Sequence, residues 1–291
     1  MKKLLMIINN QSGVKNSKSH LLDAMDVFCK NGYVITTYIT QAKDDAYQYI
    51  KNNKVKYDVI TVFGGDGTLN EVTNGLMKNS YKPAIGYFPS GTMNDFGSNF
   101  NMGSDFKEIA EKICLDSYTE FDVGKFNNKY FNYVAAFGAM CDVSYKTSRS
   151  AKEKFGSLAY IFEGIASLSE IKPINVKVTV DGKSKQMTLL FGFIFSGGRV
   201  AGQQLVAKNK SSVNDGAFNV LLVDYVPSLF DSLDVFALLA QRSKHIHRYS
   251  AKNINLEFED DDVNWTLDGE EAKPGKVVEI SNINKALKIK A

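Results

Sequence analysis

The chain has 291 residues, 44% apolar and 23% charged, with a formal net charge of +3; that length suits two domains, and the composition excludes disordered, collagen-like and low-complexity chains. No apolar run approaches the ~20 residues of a membrane-spanning helix. The best candidate, residues 189–195, has a glycine inside it, so a transmembrane enzyme is excluded. The charge is unevenly spread: residues 257–271 hold eight acids and no Lys or Arg, leaving +11 on the rest. A basic body with one acidic stretch suits a protein that handles phosphates or an anionic surface and keeps carboxylates for a metal or for chemistry.

Residues 1–11 contain two lysines and a short apolar run before asparagines, which predicts a first strand rather than a signal peptide, and a cytoplasmic protein. Strands are then expected over 4–8, 33–39, 58–63 and 84–88. Helices are expected over 19–30 (apolar Leu21, Leu22, Met25 and Phe28), 44–52, 68–77 and 106–114. Strand and helix in turn mean a doubly wound parallel sheet. After Phe121 the texture becomes β-rich, with strands expected over 130–137, 175–180, 186–195, 217–223, 254–258, 264–267 and 277–280, and helices over 156–168 and 228–241. The predicted fold class is α/β: a doubly wound nucleotide domain over 1–122 and a β-sandwich-like domain over 123–291, with the active site in the cleft between them. Cys29, Cys114 and Cys141 show neither a zinc nor a disulfide spacing and read as buried thiols.

The third strand runs into Gly64-Gly65-Asp66-Gly67-Thr68 and then a helix start. Three glycines allow close backbone approach, and the free N–H groups of a helix N-terminus attract an anion, so the turn reads as a phosphate cradle. It lacks the Gly-Lys-Ser/Thr ending of a P-loop, and Asn70 stands where a dinucleotide fingerprint needs glycine. Asp66 would repel a phosphate unless it is held against a metal, a water network or a proton to be removed. The turns at 9–13 and 89–96 have the same strand-end placement, and in an open parallel sheet ligands bind beyond the carboxyl ends of the strands. Together they predict a nucleotide site.

These segments, with Asn70-Glu71, Asn74-Gly75, the Ser-Gly-Thr-x-Asn-Asp-Phe turn at 90–96, Asp215-Gly216 and Leu267-Asp268-Gly269-Glu270, resemble in order the motifs of the soluble bacterial diacylglycerol kinase family, related to sphingosine and ceramide kinases and more distantly to NAD kinases. The resemblance spans nearly the whole chain. It implies ATP-dependent transfer of the γ-phosphate to a lipid hydroxyl, with Mg²⁺. Carried over, it places the nucleotide against Asn9, Ser12, Gly13 and Thr40, with Gly64, Gly65, Asp66, Gly67, Thr68, Asn70 and Glu71 around the phosphates and Thr92, Asn94 and Asp95 from the next turn. Asp66, Asp95 and Asp122 match aspartates of a water and metal network. Ser212 and Ala217 through main-chain carbonyls and Asp215 through its side chain match a Mg²⁺ site, while Glu270 matches the general base and Asp268 joins it and Asp66 in the catalytic set. Asn10, Met93 and Ser98 depart from the family pattern, which bears on nucleotide affinity and acceptor choice but not on reaction type.

Phosphoryl transfer has a loose transition state, so positioning, charge stabilisation and one base near the acceptor hydroxyl suffice. Glu270 is expected at a tight turn, with Glu271 pointing away. His245 and His247, among Arg242, Lys244 and Arg248, read as a basic surface rather than a metal site. Residues 145–155 hold four bases with aromatic ends and read either as a membrane contact or as a solvated connection; Leu158, Ile161, Phe162, Ile165 and Leu168 have helical spacing and read as core ahead of a lipid pocket. The expected partner is a lipid at the membrane surface, with peripheral association, no nucleic acid, and room for a homodimer. The alternatives are a kinase for NAD or another soluble hydroxyl compound, and a silent nucleotide- or lipid-binding regulator.

Overall fold

The computed structural model describes residues 1–10, 17–91, 94–139, 141, 172–200, 203–206, 212–226 and 244–291. Ser12, Gly13, Thr92, the basic stretch 145–155 and the predicted helices over 156–168 and 228–241 lie outside the described residues. The chain divides into two compact units: Met1–Val123 with Tyr130–Asn132 and Ile283–Ala291, and Gly124–Lys129 with Tyr133–Asn282.

In the first unit, β1 (Lys2–Asn9), α1 (Ser17–Lys30), β2 (Tyr33–Thr40), α2 (Asp45–Asn52), β3 (Val59–Gly64), α3 (Asp66–Lys78) and β4 (Ala84–Pro89) alternate as expected, followed by α4 (Asp95–Asn99) and α5 (Phe106–Cys114). The strands lie in the order β4-β3-β1-β2, all parallel. β3 is buried along its whole length, as a strand covered on both faces must be. α1 and α5 pack together, and Leu4, Met6, Phe28, Val59, Phe63, Phe88 and Ile113 form a core with them; each such side chain contributes roughly 1.5–3 kcal/mol of burial. Leu5, Ile7, Ile60 and Val62 point the opposite way and are buried too. α2 packs on α3, so closely that a methyl on Gly75 would lie 2.7 Å from Ile50 Cβ. Leu22 departs from the expected core stripe and is 67% exposed, because one residue is a ~100° step round a helix and carries it off the face that Leu21 and Met25 share. Cys29 is likewise exposed, whereas Cys141 is buried as expected.

The remaining strands are β5 (Thr119–Phe126), β6 (Lys129–Phe131), β7 (Val134–Gly138), β8 (Ile174–Val180), β9 (Lys183–Phe195), β10 (Arg199–Val200), β11 (Gln203–Gln204), β12 (Phe218–Asp224), β13 (Ile246–Ala251), β14 (Asn253–Phe258), β15 (Trp265–Leu267), β16 (Glu270–Ala272) and β17 (Val277–Lys290). Within the second unit the order is β16-β15-β7-β9-β8-β14-β17, with β12 on β9 and β13 on β12, all antiparallel. The strand expected over 130–137 is broken between β6 and β7, where the Tyr133 N–H leaves the ladder to bond Asp268 Oδ1 at 3.0 Å. β13 was not expected as a strand. It aligns His247 with Asp224, Nε2 to Oδ1 2.8 Å, and brings His245 Nδ1 to 3.8 Å from Oδ2 of the same carboxylate.

Two hairpins share one device. Asp181-Gly182 joins β8 to β9 and Asp268-Gly269 joins β15 to β16, each with positive φ at both residues, the conformation that a two-residue type I′ turn requires and that Asp-Gly supplies. In each the aspartate then brackets a neighbouring strand. Asp181 accepts from the N–H groups of Lys252 and Asn253, and Asp268 from those of Tyr133 and Val134, at 3.0 and 3.1 Å.

Candidate active site

The parallel ladder of the first unit fixes which strand ends meet. Asn9 pairs with Thr40, Ile8 with Phe63 and Gly64 with Pro89, so the carboxyl ends of β1, β2, β3 and β4 lie together at one end of the sheet. Their contacts are direct. Asn9 donates from Nδ2 to Thr68 Oγ1 at 3.0 Å, and Thr40 Oγ1 reaches the Ile8 carbonyl at 3.4 Å.

The β3 turn is as short as a strand-to-helix connection can be, because Gly65 caps a helix that already begins at Asp66. A methyl on Gly64 would collide with the Thr68 side chain at 2.6 Å, and one on Gly91 would lie 2.7 Å from Gly65 Cα. Glycine is therefore needed here for backbone-to-backbone packing of two turns, sealed by the Ser90 N–H on the Gly64 carbonyl at 3.0 Å. Asn94, in the left-handed region at φ 51, closes the second turn by accepting from Gly91 N–H at 2.9 Å and donating to its carbonyl at 2.8 Å. The N-cap residue of α3, Gly65, supplies no side-chain cap, and the N–H groups of a helix start attract an anion.

Asp66 is turned toward the second turn. Its carboxylate accepts from Tyr87 Oη at 3.3 Å and from the Asp95 N–H at 3.1 Å. Two donors thus stabilise a carboxylate at the start of α3. Tyr87 was not among the sequence candidates, and a tyrosine inside a buried strand gives no sequence signal of such a role. Asp95 is 3% exposed and Asp122 1% exposed; Asp122 Oδ1 accepts from Asn284 Nδ2 and from the Lys285 N–H, both at 2.8 Å.

The polar residues farther along α3 brace the scaffold. Glu71 accepts from the N–H groups of Asp44 and Ala46 at 2.9 and 3.0 Å, supplying the cap that α2 lacks from its own N-cap residue. Burial pushes its pKa above the ordinary glutamate value, and the backbone donors only partly oppose the rise. Asn70 donates to the Tyr130 carbonyl at 3.1 Å, and Asn74 binds the Tyr130 backbone in both directions, at 2.9 Å each.

Two further groups lie in the second unit. Glu270 follows the Asp268-Gly269 turn as the first residue of β16, opposite Leu267, and is exposed. Asp268 is 4% exposed with Oδ1 on two backbone N–H groups, so it fixes the turn that presents Glu270. Glu271 points to the other face and pairs with Lys273 at 3.1 Å. In the loop before β12, Asp215 accepts from the N–H groups of Ser212 at 3.0 Å and Ala217 at 3.2 Å. Among the described residues no three His, Cys, Asp or Glu are grouped to hold a metal ion. The set expected for Mg²⁺ is of another kind, one carboxylate and two main-chain carbonyls. It suits a hard cation, since a carboxylate offers about four lone-pair sites and the bonds of Asp215 to Ser212 and Ala217 use two.

Residues 3–126 match the family model for the diacylglycerol kinase catalytic domain, and residues 134–289 match that for the YegS C-terminal NAD kinase beta sandwich-like domain. A diacylglycerol kinase of Staphylococcus aureus strain MRSA252 is 34% identical over 277 residues, covering 92% of this chain and 86% of that protein. Its counterpart in strain RF122 is 33% identical over 276 residues, covering the same 92% and 86%. The crystal structure of a diacylglycerol kinase from Bacillus anthracis superposes with a TM-score of 0.79 at 23% identity, over 99% of this chain and 96% of that one. Yeast NADH kinase in complex with NADH gives 0.55 at 13% identity, over 99% and 82%. Those two likenesses are of fold. With both halves matched in order and curated relatives aligned along nearly all of its length, the chain belongs to the diacylglycerol kinase family.

Proposed function

We propose that this kinase transfers the γ-phosphate of ATP to the hydroxyl of diacylglycerol or a similar lipid, giving phosphatidic acid. The observation that carries this reading is the pair of glycine turns packed at the start of α3, with the Asp66 carboxylate accepting from Tyr87 and from the Asp95 N–H. Backbone N–H groups there bind and orient the phosphates, and Asn9, Thr40, Thr68, Asn70, Asn94 and Asp95, with Ser12, Gly13 and Thr92 from the same turns, line the nucleotide site. Glu71 acts at one remove, by holding α2 against α3.

Glu270 takes the proton of the acceptor hydroxyl as its oxygen attacks the γ-phosphorus and the bond to ADP breaks. Asp268 is a positioning residue for it. Mg²⁺, when bound, supplies charge neutralisation for phosphates or structural cross-linking, and Ser212, Asp215 and Ala217 would hold one such ion. The protein meets its lipid peripherally at a cytoplasmic membrane surface. Incubation with γ-labelled ATP, Mg²⁺ and a panel of hydroxyl-bearing lipids plus NAD tests the proposal: labelled phosphatidic acid is expected. Label appearing in NADP instead, or in no product, overturns it.

A further inference from the structure

Along β14 and β17 of the second unit, side chains alternate between the core and an outer, polar face. Ile254, Leu256, Val278 and Ile280 are buried, so Asn253, Asn255, Glu279 and Ser281 take the outer face. The register sets them in two rows. Asn255 stands opposite Thr179 of β8 on one side and Glu279 of β17 on the other, and Asn253 stands opposite Ser281. Two residues along a strand separate these rows by ~7 Å. Asn127, just beyond β5, pins the Glu279 backbone: its N–H donates to the Glu279 carbonyl at 2.9 Å, and its Oδ1 accepts from the Glu279 N–H at 2.8 Å. Because Asp122 meets Lys285, β5 runs opposite to β17, and Lys125, two residues before Asn127, lies toward Ser281. Lys125, Thr179, Asn253, Asn255, Glu279 and Ser281 line a cleft of about 260 Å³ on this face.

Two features of the cleft call for a ligand. Asn255 Oδ1 is buried and accepts from no donor among the described residues, an arrangement that costs stability unless something else supplies the donor. Its cross-strand neighbour Glu279 is a second acceptor. Lys125 and Glu279, in turn, make no ion pair among the described residues, whereas one row further along the same face Lys177 and Glu257 stand opposite each other and bond at 2.9 Å. The cleft therefore has an acceptor end, formed by Glu279, Asn255 Oδ1 and the Thr179 hydroxyl. The Lys125 ammonium, the Ser281 hydroxyl and the Asn253 amide form a donor end.

We propose that this cleft binds a small zwitterion, with its ammonium at Glu279 and Asn255 and its phosphate or carboxylate at Lys125, Ser281 and Asn253. An ammonium brings three N–H donors and a positive charge, so it satisfies the buried Asn255 carbonyl and the Glu279 carboxylate together. A hydroxyl brings one donor and no charge. The same chemistry is carried by a free compound such as phosphoethanolamine and by the headgroup of phosphatidylethanolamine.

Titration calorimetry of the full chain without nucleotide, with phosphoethanolamine and with γ-aminobutyrate, tests this independently of any kinase activity. Saturable binding of at least one is expected, and at least tenfold weaker binding of ethanolamine, inorganic phosphate and glycerol. Glu279→Gln and Lys125→Gln, both at exposed positions, should each weaken binding by about tenfold or more with the ligand-free melting temperature unchanged. Asn255→Leu should abolish binding while the ligand-free melting temperature holds or rises, since the unmade hydrogen bond is gone; a fall in melting temperature with binding retained would make Asn255 a merely structural residue and overturn its part in the site. Vesicles of phosphatidylcholine with and without phosphatidylethanolamine separate the two sources, because a choline headgroup has no N–H donor. Binding that needs phosphatidylethanolamine and is lost in Glu279→Gln identifies the headgroup, and binding of the free zwitterion alone identifies a soluble ligand. No binding of either zwitterion at up to about 10 mM together with no preference between the vesicles overturns the proposal, as does equal binding of glycerol or of inorganic phosphate, or a zwitterion site that none of the three substitutions weakens.

Discussion

Asp66 and Glu71 sit on one helix, yet their carboxylates have opposite tasks: Asp66 joins the β3 and β4 turns, and Glu71 caps α2. Glu271 and Glu270 are adjacent and diverge in the same way, because successive strand residues point to opposite faces. If Glu270 is the base, Glu270→Gln keeps its shape and removes its basic oxygen, so kcat should fall ~10²- to 10⁴-fold with nucleotide binding nearly unchanged. Glu271→Gln, at a charge paired with Lys273 on the surface, should behave as wild type; a Glu270→Gln enzyme keeping more than about a third of its turnover would refute the assignment. Glu71 gives a pH prediction. Its folded pKa is raised by burial from the ordinary 4.5, so the native state binds that proton more tightly than the unfolded chain. Its contribution to stability is complete below the unfolded value and is lost as pH rises through the folded one. Glu71→Gln has no proton to lose there, so its melting temperature relative to wild type should improve as pH climbs from 4 toward neutrality, and thermal melts across that range would detect it.

At the level of the element, the Asp268-Gly269 hairpin is the support for the proposed base. Gly269 has φ +88, and a methyl added to its Cα would meet nothing within 4 Å, so Gly269→Ala meets backbone strain and no clash. It should cost about 1–2 kcal/mol in denaturant unfolding and lower turnover by shifting Glu270. The loop of Asp215 offers a second test. Asp215→Asn should abolish the rise in melting temperature that Mg²⁺ gives the wild type, and an undiminished Mg²⁺ shift in the variant would reject that site. The sequence made this hairpin legible because Asp-Gly between two strand patterns is a local signal with a local cause. The β1 to β4 strands were legible too, as short apolar runs ending in turn residues. β5 and β13 were not. β5 carries Glu120, Asp122 and Lys125 among its apolar residues, with Phe121 and Val123 alone alternating on one face, and β13 alternates His247 and Tyr249 with Ile246, Arg248 and Ser250; neither displays a sustained apolar face, and pairing with a partner strand decides each. The glycine turn after β3 was readable from its glycines, whereas Tyr87, Asp44 and Tyr130 enter through contacts between distant segments, which no spacing rule encodes.

Over the whole molecule the charge is concentrated more than the net +3 suggests. The first unit holds 16 Lys and Arg against 14 Asp and Glu, and the second 19 against 18. Since the second unit contains all eight acids of residues 257–271, the remainder of that unit carries +9 and accounts for most of the +11 outside the acidic stretch. If the chain works on a lipid at an acidic membrane surface, attraction should arise mainly from the second unit, at ~1 kcal/mol for each Lys or Arg brought close. The attraction acts over ~8 Å at physiological ionic strength and less at higher salt. Binding to vesicles containing anionic phospholipid should therefore exceed binding to neutral vesicles and fall as salt is raised, and phosphorylation of a dispersed lipid should follow the same order. Vesicle sedimentation at low and high salt measures the first quantity, and labelled-product formation on the same vesicles measures the second. Equal binding to neutral and anionic vesicles would reject electrostatic docking while leaving the phosphotransfer proposal intact, because the phosphate turns and Glu270 need no anionic surface for the chemistry. Salt-sensitive binding with salt-insensitive turnover would instead mean that the acceptor reaches the site from solution, and that the basic remainder of the second unit serves another ligand.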